Sequence, residues 1–331
     1  MLRYDIVGCG EVVAQEHAAV LNRLRIEGLL TVRACIDTSF GRATWMAKRL
    51  HGVPAASITE AGVSGADVAL IATPPEFHAE LALPYLLAGR SVLIEKPFAP
   101  TLADVEKLLD AARVGNARVL VGHMRRLYPA IQVAREVVRS GVIGDIRAVE
   151  AREGGRWEWG AASPYTVRSS FGGVLFDTGA HVLDTLLFLL DLDDPAAAPT
   201  VTVDSVVRDR DTEPSHDFRA RFRLCRGGSD LPVDFRVSRT EALPRSVVLH
   251  GEHGSLVVGG AFAQQPTVIA RKRALRLDLP LDTPRPADAT GCFRLEHEAL
   301  VNPSGRPDVG GLLEGSRFVT LARLFDTLAC S

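Results

Sequence analysis

The sequence has no excess of one charge, no long apolar run and no organised cysteine pattern, and each absence removes a class of protein. Thirty-eight Lys and Arg stand against 40 Asp and Glu, a formal net charge of -2, so no field draws the chain to nucleic acid or an anionic membrane. The densest apolar run, Leu186 to Leu190, is far too short to span a bilayer. The start, Met1-Leu2-Arg3-Tyr4-Asp5-Ile6-Val7-Gly8, has no basic segment ahead of a long apolar core. No signal peptide is expected, and a cytoplasmic location is. The five cysteines (Cys9, Cys35, Cys225, Cys292, Cys330) are scattered and contain no C-x-x-C pair. A disulfide framework or zinc cluster is therefore not expected, and no metal is. Cys9 and Cys35 sit in strand-like apolar surroundings and read as small buried hydrophobes.

What is present is a chain of 331 residues, long enough that two domains are expected. Its first part alternates short apolar runs with helical stretches. Strands are expected at Tyr4–Val7, Thr31–Ile36, Val68–Ala72, Ser91–Ile94 and Arg118–Val121. Helices are expected at Val12–Leu24, Arg42–Leu50, His78–Ala88 and Leu102–Ala112, the last capped by Thr101. Continuous apolar strands alternating with helices predict a doubly wound parallel sheet of the Rossmann type, over residues 1–122. After a helix from Pro129 to Ser140, strands dominate. In His216–Cys225, Phe218, Ala220, Phe222 and Leu224 alternate with Asp217, Arg219, Arg221 and Arg223. Leu231–Ser238 alternates likewise, setting Val233, Phe235 and Val237 against Asp234 and Arg236. Ser246–His250 and Ser255–Val258 follow. Such alternation predicts an open, mainly antiparallel sheet with one wet face. Residues 123–331 are thus expected to form an α+β substrate domain. Leu192–Pro199 reads as a surface loop, and Leu312–Leu328 as a final helix that can pack back on the first domain.

The first expected strand runs into Gly8-Cys9-Gly10-Glu11-Val12-Val13. The first glycine permits a tight turn, and the second lets the backbone approach a pyrophosphate at a helix N-terminus. The third position of the pattern is Val13 rather than Gly or Ala. Asp37 follows the second strand, where a carboxylate accepts hydrogen bonds from the adenine ribose and repels a 2′-phosphate. NAD is the expected cofactor, with NADP open, because Arg42 could meet a 2′-phosphate if the loop were arranged differently.

Three further segments carry chemistry. Ala72-Thr73-Pro74-Pro75-Glu76-Phe77-His78-Ala79-Glu80 and Val92-Leu93-Ile94-Glu95-Lys96-Pro97-Phe98 end strands, at the sheet edge that holds ligands in doubly wound folds. Gly172-Gly173-Val174-Leu175-Phe176-Asp177-Thr178-Gly179-Ala180-His181-Val182-Leu183-Asp184 is the third. Asp177 and His181 are four apart and would share a helix face, with Asp184 roughly continuing it. Asp177 could also simply cap or pair on a helix, and an Asp177–His181 metal site would lack a third ligand.

Together these segments resemble the glucose–fructose oxidoreductase and inositol dehydrogenase (Gfo/Idh/MocA) family, whose members carry A-T-P-P-x-x-H-A, E-K-P and G-G-x-L-x-D-x-G-x-H-x-x-D in this order. The resemblance extends to Gly122-His123-Met124-Arg125-Arg126 and to Val137–Gly144. It implies a nicotinamide-dependent oxidoreductase in which Lys96, Asp177 and His181 line the substrate pocket and carry catalysis. His181 would act as acid/base, Lys96 would hydrogen-bond the reacting oxygen and Asp177 a neighbouring hydroxyl, although Lys96 and His181 could exchange roles. Cofactor contacts are expected from Gly8, Gly10, Glu11, Val12 and Val13 in the loop, and from Asp37, Thr38 and Arg42 after the second strand. Thr73, Pro74, His78 and Glu95 complete that set at the sheet edge. Substrate contacts are expected from Arg125 and Tyr165 as well. Trp157, Trp159 and Arg168 either wall the pocket or staple a loop. The implied reaction interconverts a secondary alcohol and a ketone on a sugar, cyclic polyol or nucleotide-sugar. Two other readings stay open: a sensor of dinucleotide or sugar, and a glycoside-cleaving enzyme with tightly held NAD. The partners expected are a small-molecule substrate and further copies of the chain, as a dimer or tetramer.

Overall fold

The computed structural model describes residues 1–156, 171–209, 214–261, 266–270, 273–276, 286–302, 304 and 307–331. The chain forms two compact units, Met1–Met124 with Ala289–Ser316 and Arg125–Asp288 with Arg317–Ser331. Among the described residues, no helix is long and apolar enough to cross a membrane.

The first unit holds six parallel strands, β1 (Leu2–Val7), β2 (Leu30–Ile36), β3 (Val53–Ala55), β4 (Val68–Ile71), β5 (Ser91–Glu95) and β6 (Val119–Gly122), in the order β3-β2-β1-β4-β5-β6. Every residue of β4 is buried, as a strand covered on both faces requires. The order reverses between β1 and β4, and the crevice beyond their carboxyl ends is where such sheets take ligands. Thr101 caps helix Leu102–Gly115 by accepting from the Asp104 N–H at 3.2 Å.

The expected helix Val12–Leu24 is instead a π turn, Val13–His17, leading into an α-helix, Ala18–Ile26. The π turn starts at buried Val13, in the position where the dinucleotide pattern takes a small residue for close helix–strand packing. The expected final helix Leu312–Leu328 is broken. Helix Pro307–Leu313 ends where Glu314 bridges to Leu120 of β6, a short 3-10 turn spans Gly315–Phe318, and helix Val319–Cys330 closes the chain. Helix Ala289–Val301, not anticipated, packs against helix Ala18–Ile26 and strands β5 and β6 of the first unit.

Among the described residues, the second unit carries eight strands. These are β7 (Ile146–Gly154), β8 (Thr200–Arg208), β9 (Asp217–Arg226), β10 (Ser229–Ser238), β11 (Ser246–Gly251), β12 (Ser255–Gly259), β13 (Thr267–Ala270) and β14 (Arg273–Arg276). Their order is β14-β13-β12-β11-β7-β10-β9-β8. All pairings are antiparallel except β7 with β10. Phe218, Ala220, Phe222, Leu224, Val233, Phe235 and Val237 are all buried on one face, as the alternation predicts. On the other face, Asp234 is shared by Arg219 at 3.2 Å and Arg221 at 3.1 Å, and Arg223 meets Asp204 at 2.9 Å and Asp230 at 3.3 Å. Charge on this face is therefore matched across strands, although exposed pairs of this kind contribute only about 0–1 kcal/mol each.

Leu192–Pro199 is not wholly a surface loop, because Leu192 and Asp193 are buried. Asp193 accepts from Arg126 at 2.9 Å and from Arg317 at 3.1 Å. Arg126, itself 1% exposed, also grips both oxygens of Asp184 and lies 4.1 Å over the Phe318 ring and 5.1 Å over Phe188.

Candidate active site

In the first unit the crevice is shaped by the turn after β1. Gly8 has φ +93°, and a Cβ there would lie 2.4 Å from the Ala72 carbonyl oxygen. Backbone strain and space both demand glycine. A Cβ at Gly10 would meet nothing within 4 Å, so the backbone beyond the turn is open to a bulky group. Gly8→Ala should cost about 1–3 kcal/mol from its left-handed backbone alone, with further loss from the collision. A thermal melt and a dinucleotide titration on the variant should both show the damage, and wild-type values in either would contradict this account of the turn.

Asp37 is buried at the end of β2. Its carboxylate accepts from the Cys9 N–H at 2.9 Å and the Ser39 N–H at 2.7 Å, and Arg42 lies across it at 2.8 Å. The Asp37 hydrogen bonds hold the Arg42 guanidinium above its ordinary pKa. Arg42 remains half exposed and can turn outward. Glu11, Thr38 and Phe40 are exposed beside this crevice, and Val12 is half-buried. The Thr73 hydroxyl is buried without a hydrogen-bond partner among the described residues. A strained glycine turn, open space over Gly10, a carboxylate after the second strand and an orphaned hydroxyl at the β4 edge all fit a dinucleotide.

His78 is fully buried. Its Nδ1 faces the Pro97 and Phe98 carbonyls at 3.0 and 3.2 Å, and its Nε2 faces the Thr73 carbonyl at 2.8 Å. The ring thus ties the Thr73-Pro74 segment to the Glu95-Lys96-Pro97 turn. Burial holds its pKa below the ordinary histidine value, against the pull of those carbonyls. Lys96 is half-buried at the end of β5, and its backbone N–H donates to Glu95 at 3.0 Å.

In the second unit, Asp177 and His181 stand at the start of helix Thr178–Leu189, both half-buried. Asp177 occupies the N-cap position but makes no side-chain cap bond. Its carboxylate instead accepts from the buried Arg239 at 2.8 Å, and Arg239 also donates to the Gly172 carbonyl at 2.8 Å. The capping alternative for Asp177 is thereby set aside. Asp184, expected to continue the Asp177–His181 face, is committed to Arg126 and is 1% exposed. The helix turns it into the core, where a carboxylate needs its cation.

Arg125 meets Glu153 in a double contact at 2.6 and 2.9 Å. Burial works to lower the Arg125 pKa, and Glu153, aided by Asp177, more than offsets it. A small cavity lined by Arg125, Glu153, Val182, Thr185 and Gly260 lies beside this pair. Glu153 and Arg239 were missed from the sequence. Glu153 lies in phase with the inward Val149 and Ala151 of its strand, and Arg239, one residue past β10, continues the phase of Val233, Phe235 and Val237, so a charge at an inward phase was the available signal. Tyr165, Trp157, Trp159 and Arg168 lie outside the described residues. No cluster able to hold a metal occurs among the described residues.

Residues 2–123 match the model of an oxidoreductase family with an NAD-binding Rossmann fold, and residues 131–257 match the GFO/IDH/MocA C-terminal domain. The chain belongs to the Gfo/Idh/MocA oxidoreductase family. A 1,5-anhydro-D-fructose reductase from Ensifer adhaerens is 27% identical over 326 residues, covering 94% of this chain and 91% of that protein. An inositol 2-dehydrogenase from Leifsonia xyli is 33% identical over 147 residues, 44% of this chain and 42% of that protein. Among solved structures, a 3-ketoreductase from Actinomadura kijaniata in complex with NADP and TDP-benzene superposes with TM-score 0.76 at 21% identity, covering 99% of this chain and 97% of that one. A UDP-N-acetylglucosamine 3-dehydrogenase from Acidithiobacillus ferrooxidans gives 0.73 at 19% identity, with 99% and 97% covered. At these identities the structural likeness is one of fold.

Proposed function

We propose that this Gfo/Idh/MocA protein is an NAD(P)-dependent dehydrogenase or ketoreductase that interconverts a secondary alcohol and a ketone on a sugar, cyclic polyol or nucleotide-sugar. The observation that carries the reading is the Asp177–His181 turn at the start of helix Thr178–Leu189, in which the buried Arg239 donates to the Asp177 carboxylate at 2.8 Å. A carboxylate so held is suited to accept hydrogen bonds from a vicinal hydroxyl. His181 takes the alcohol proton during oxidation and returns it during reduction, the general acid–base role most often served by histidine. Lys96 donates to the reacting oxygen and favours its anionic form, and Arg125, paired with Glu153, would bind substrate oxygens.

The bound nicotinamide supplies the hydride acceptor or donor. Gly8, Gly10, Glu11, Val12 and Val13 would hold its pyrophosphate, and Asp37, Thr38 and Arg42 its adenine ribose. Thr73, Pro74, His78 and Glu95 would border its nicotinamide end. Asp37 favours NAD, and an outward turn of Arg42 would admit the 2′-phosphate of NADP.

The names of relatives that reduce an anhydrofructose or dehydrogenate inositol support the substrate class. The test is to titrate the purified protein with NAD(H) and NADP(H), then follow reduced-nicotinamide absorbance against inositols, free sugars and nucleotide-sugars. Turnover on a member of one of these classes is expected. Tight dinucleotide binding without turnover on any of them would contradict the reading.

A further inference from the structure

Behind the Glu95-Lys96 turn lies a buried chain of polar groups that the proposed chemistry does not use. Glu95 Oε2 accepts from the Lys96 backbone N–H at 3.0 Å, and Oε1 lies 2.8 Å from His17 Nε2. His17 Nδ1 lies 2.9 Å from His297 Nε2, and His297 Nδ1 lies 3.4 Å from the Tyr4 hydroxyl. Tyr4, His17 and His297 are all 0% exposed. The Phe293 ring packs edge-on against His17 at 4.9 Å, closing the fourth side.

Proton placement along this chain is set by valence. Glu95 as a carboxylate can only accept, so His17 Nε2 carries a hydrogen and donates to it. With a neutral His17 ring, Nδ1 would accept from His297 Nε2–H and the Tyr4 O–H would donate to His297 Nδ1; with a protonated ring the same contacts would run the other way, His17 still donating to Glu95. Each link has one donor and one acceptor, and the hydrogen-bonding run ends on Glu95. Burial, together with the neighbouring His17, holds the His297 pKa well below its ordinary value, so His297 stays neutral. Burial alone would lift Glu95; the His17 hydrogen bond and the nearby Lys96 charge win, and Glu95 sits below the usual glutamate value.

The groups that face this chain come from several elements. Glu296, on the same helix as His297, is fully buried, and neither of its oxygens has a hydrogen-bond partner among the described residues. Burial, and then Glu95, push its pKa well up. His78 and Lys96 act on Glu95 from the sheet edge. The pKa of one carboxyl group is thus pulled down and that of its neighbour pushed up. The difference lies in the donors: Glu95 has His17 and a backbone N–H, and Glu296 has none.

We propose that His17 is a positioning residue, which through the Tyr4–His297–His17–Glu95 hydrogen-bond chain fixes the Glu95 carboxylate and, through it, the backbone of Lys96. The inference rests on the proposed role of Lys96 in the reaction. His17 lies on the π turn that follows the phosphate loop, so one side chain links the loop expected to hold the cofactor to the turn expected to carry the proton donor. A mere core histidine would need a hydrogen bond, but it would not need to hand that bond to the carboxylate beside Lys96.

The test compares His17→Met, which fills the space without donating, with His17→Gln, whose amide can still donate to Glu95. In His17→Met, kcat should fall on the order of 10- to 100-fold, as for displaced catalytic groups generally, with substrate KM little changed. Removing the donor leaves burial opposed only by Lys96, so Glu95 takes its proton at higher pH and the acid limb of kcat/KM moves up. His17→Gln should restore most of kcat and return the limb toward its wild-type position. The carboxyl carbon of Glu95, labelled and titrated by NMR in the cofactor-free protein, gives a readout that needs no turnover. It should titrate below the ordinary glutamate range in the wild type and higher in His17→Met. Wild-type kcat and acid limb in a folded His17→Met protein, or Glu95 titrating at or above the ordinary value in the wild type, would overturn the inference. Absence of hydride transfer from every substrate, with Glu95 titrating low, would instead count against the proposed reaction and leave the positioning chain standing.

Discussion

Replacing Lys96 with Met, or His181 with Asn, is expected to lower kcat/KM by about 10²- to 10⁴-fold, the usual span for a general acid or base. Dinucleotide affinity should stay close to the wild-type value in both. The expectation follows from what each residue does on the proposed reading. Oxidation of an alcohol releases a proton with the hydride, and the group that takes the proton must change state near neutral pH. Asn matches the shape of His181 and keeps a donor, but it cannot carry a proton. Met matches the stem of Lys96 without its charge. Steady-state rates with both cofactors, and a dinucleotide titration on each variant, make the comparison. Turnover retained in both variants would remove Lys96 and His181 from the chemistry. Loss in one alone would identify the proton carrier between them. The role of Asp177 is separable, because Arg239 donates to its carboxylate at 2.8 Å.

The second large effect is on stability. Arg126→Met should destabilise the second unit by about 3–5 kcal/mol, the range for breaking a buried ion pair. That corresponds to a drop in Tm of about 6–20 °C. Arg126 and its partners Asp184 and Asp193 are each 1% exposed. Removing the guanidinium takes from buried Asp184 the cation that meets both its oxygens, whereas Asp193 keeps Arg317 at 3.1 Å. Adding Asp184→Leu should therefore recover part of the loss, since an apolar pair of similar volume is tolerated where a lone charge is not. A double-mutant cycle read by thermal or denaturant melts measures that recovery. An Arg126→Met protein that melts like the wild type would show that the network contributes nothing. Asp184 sits three residues beyond His181 on the same helix, so the network also anchors the element that carries the proposed base.

Much of this was legible in the residues. The parallel sheet was readable because strands such as Val68–Ile71 are buried on both faces and therefore carry unbroken apolar runs. The β9 and β10 strands were readable because one face is wet and polarity alternates. Gly8 and Asp37 stood out because their positions after the first and second strands are dictated by ligand geometry. The same logic explains what was missed. The β7 strand breaks its alternation at Glu153, and β8 is an edge strand with much of its surface exposed, so neither shows a clean period.

Local sequence therefore determined the class of each main sheet, the dinucleotide loop and the Asp177–His181 spacing, because those depend on neighbours within a turn or two. Only the tertiary structure decided which charges are partners. Arg239 with Asp177, Arg126 with Asp184 and Asp193, and His17 with Glu95 and His297 are separated along the chain by 62, 58, 67, 78 and 280 residues respectively. No period or spacing records such pairs. They exist because a buried charge or imidazole must find a partner, and the partner is whichever group the folded chain carries to it.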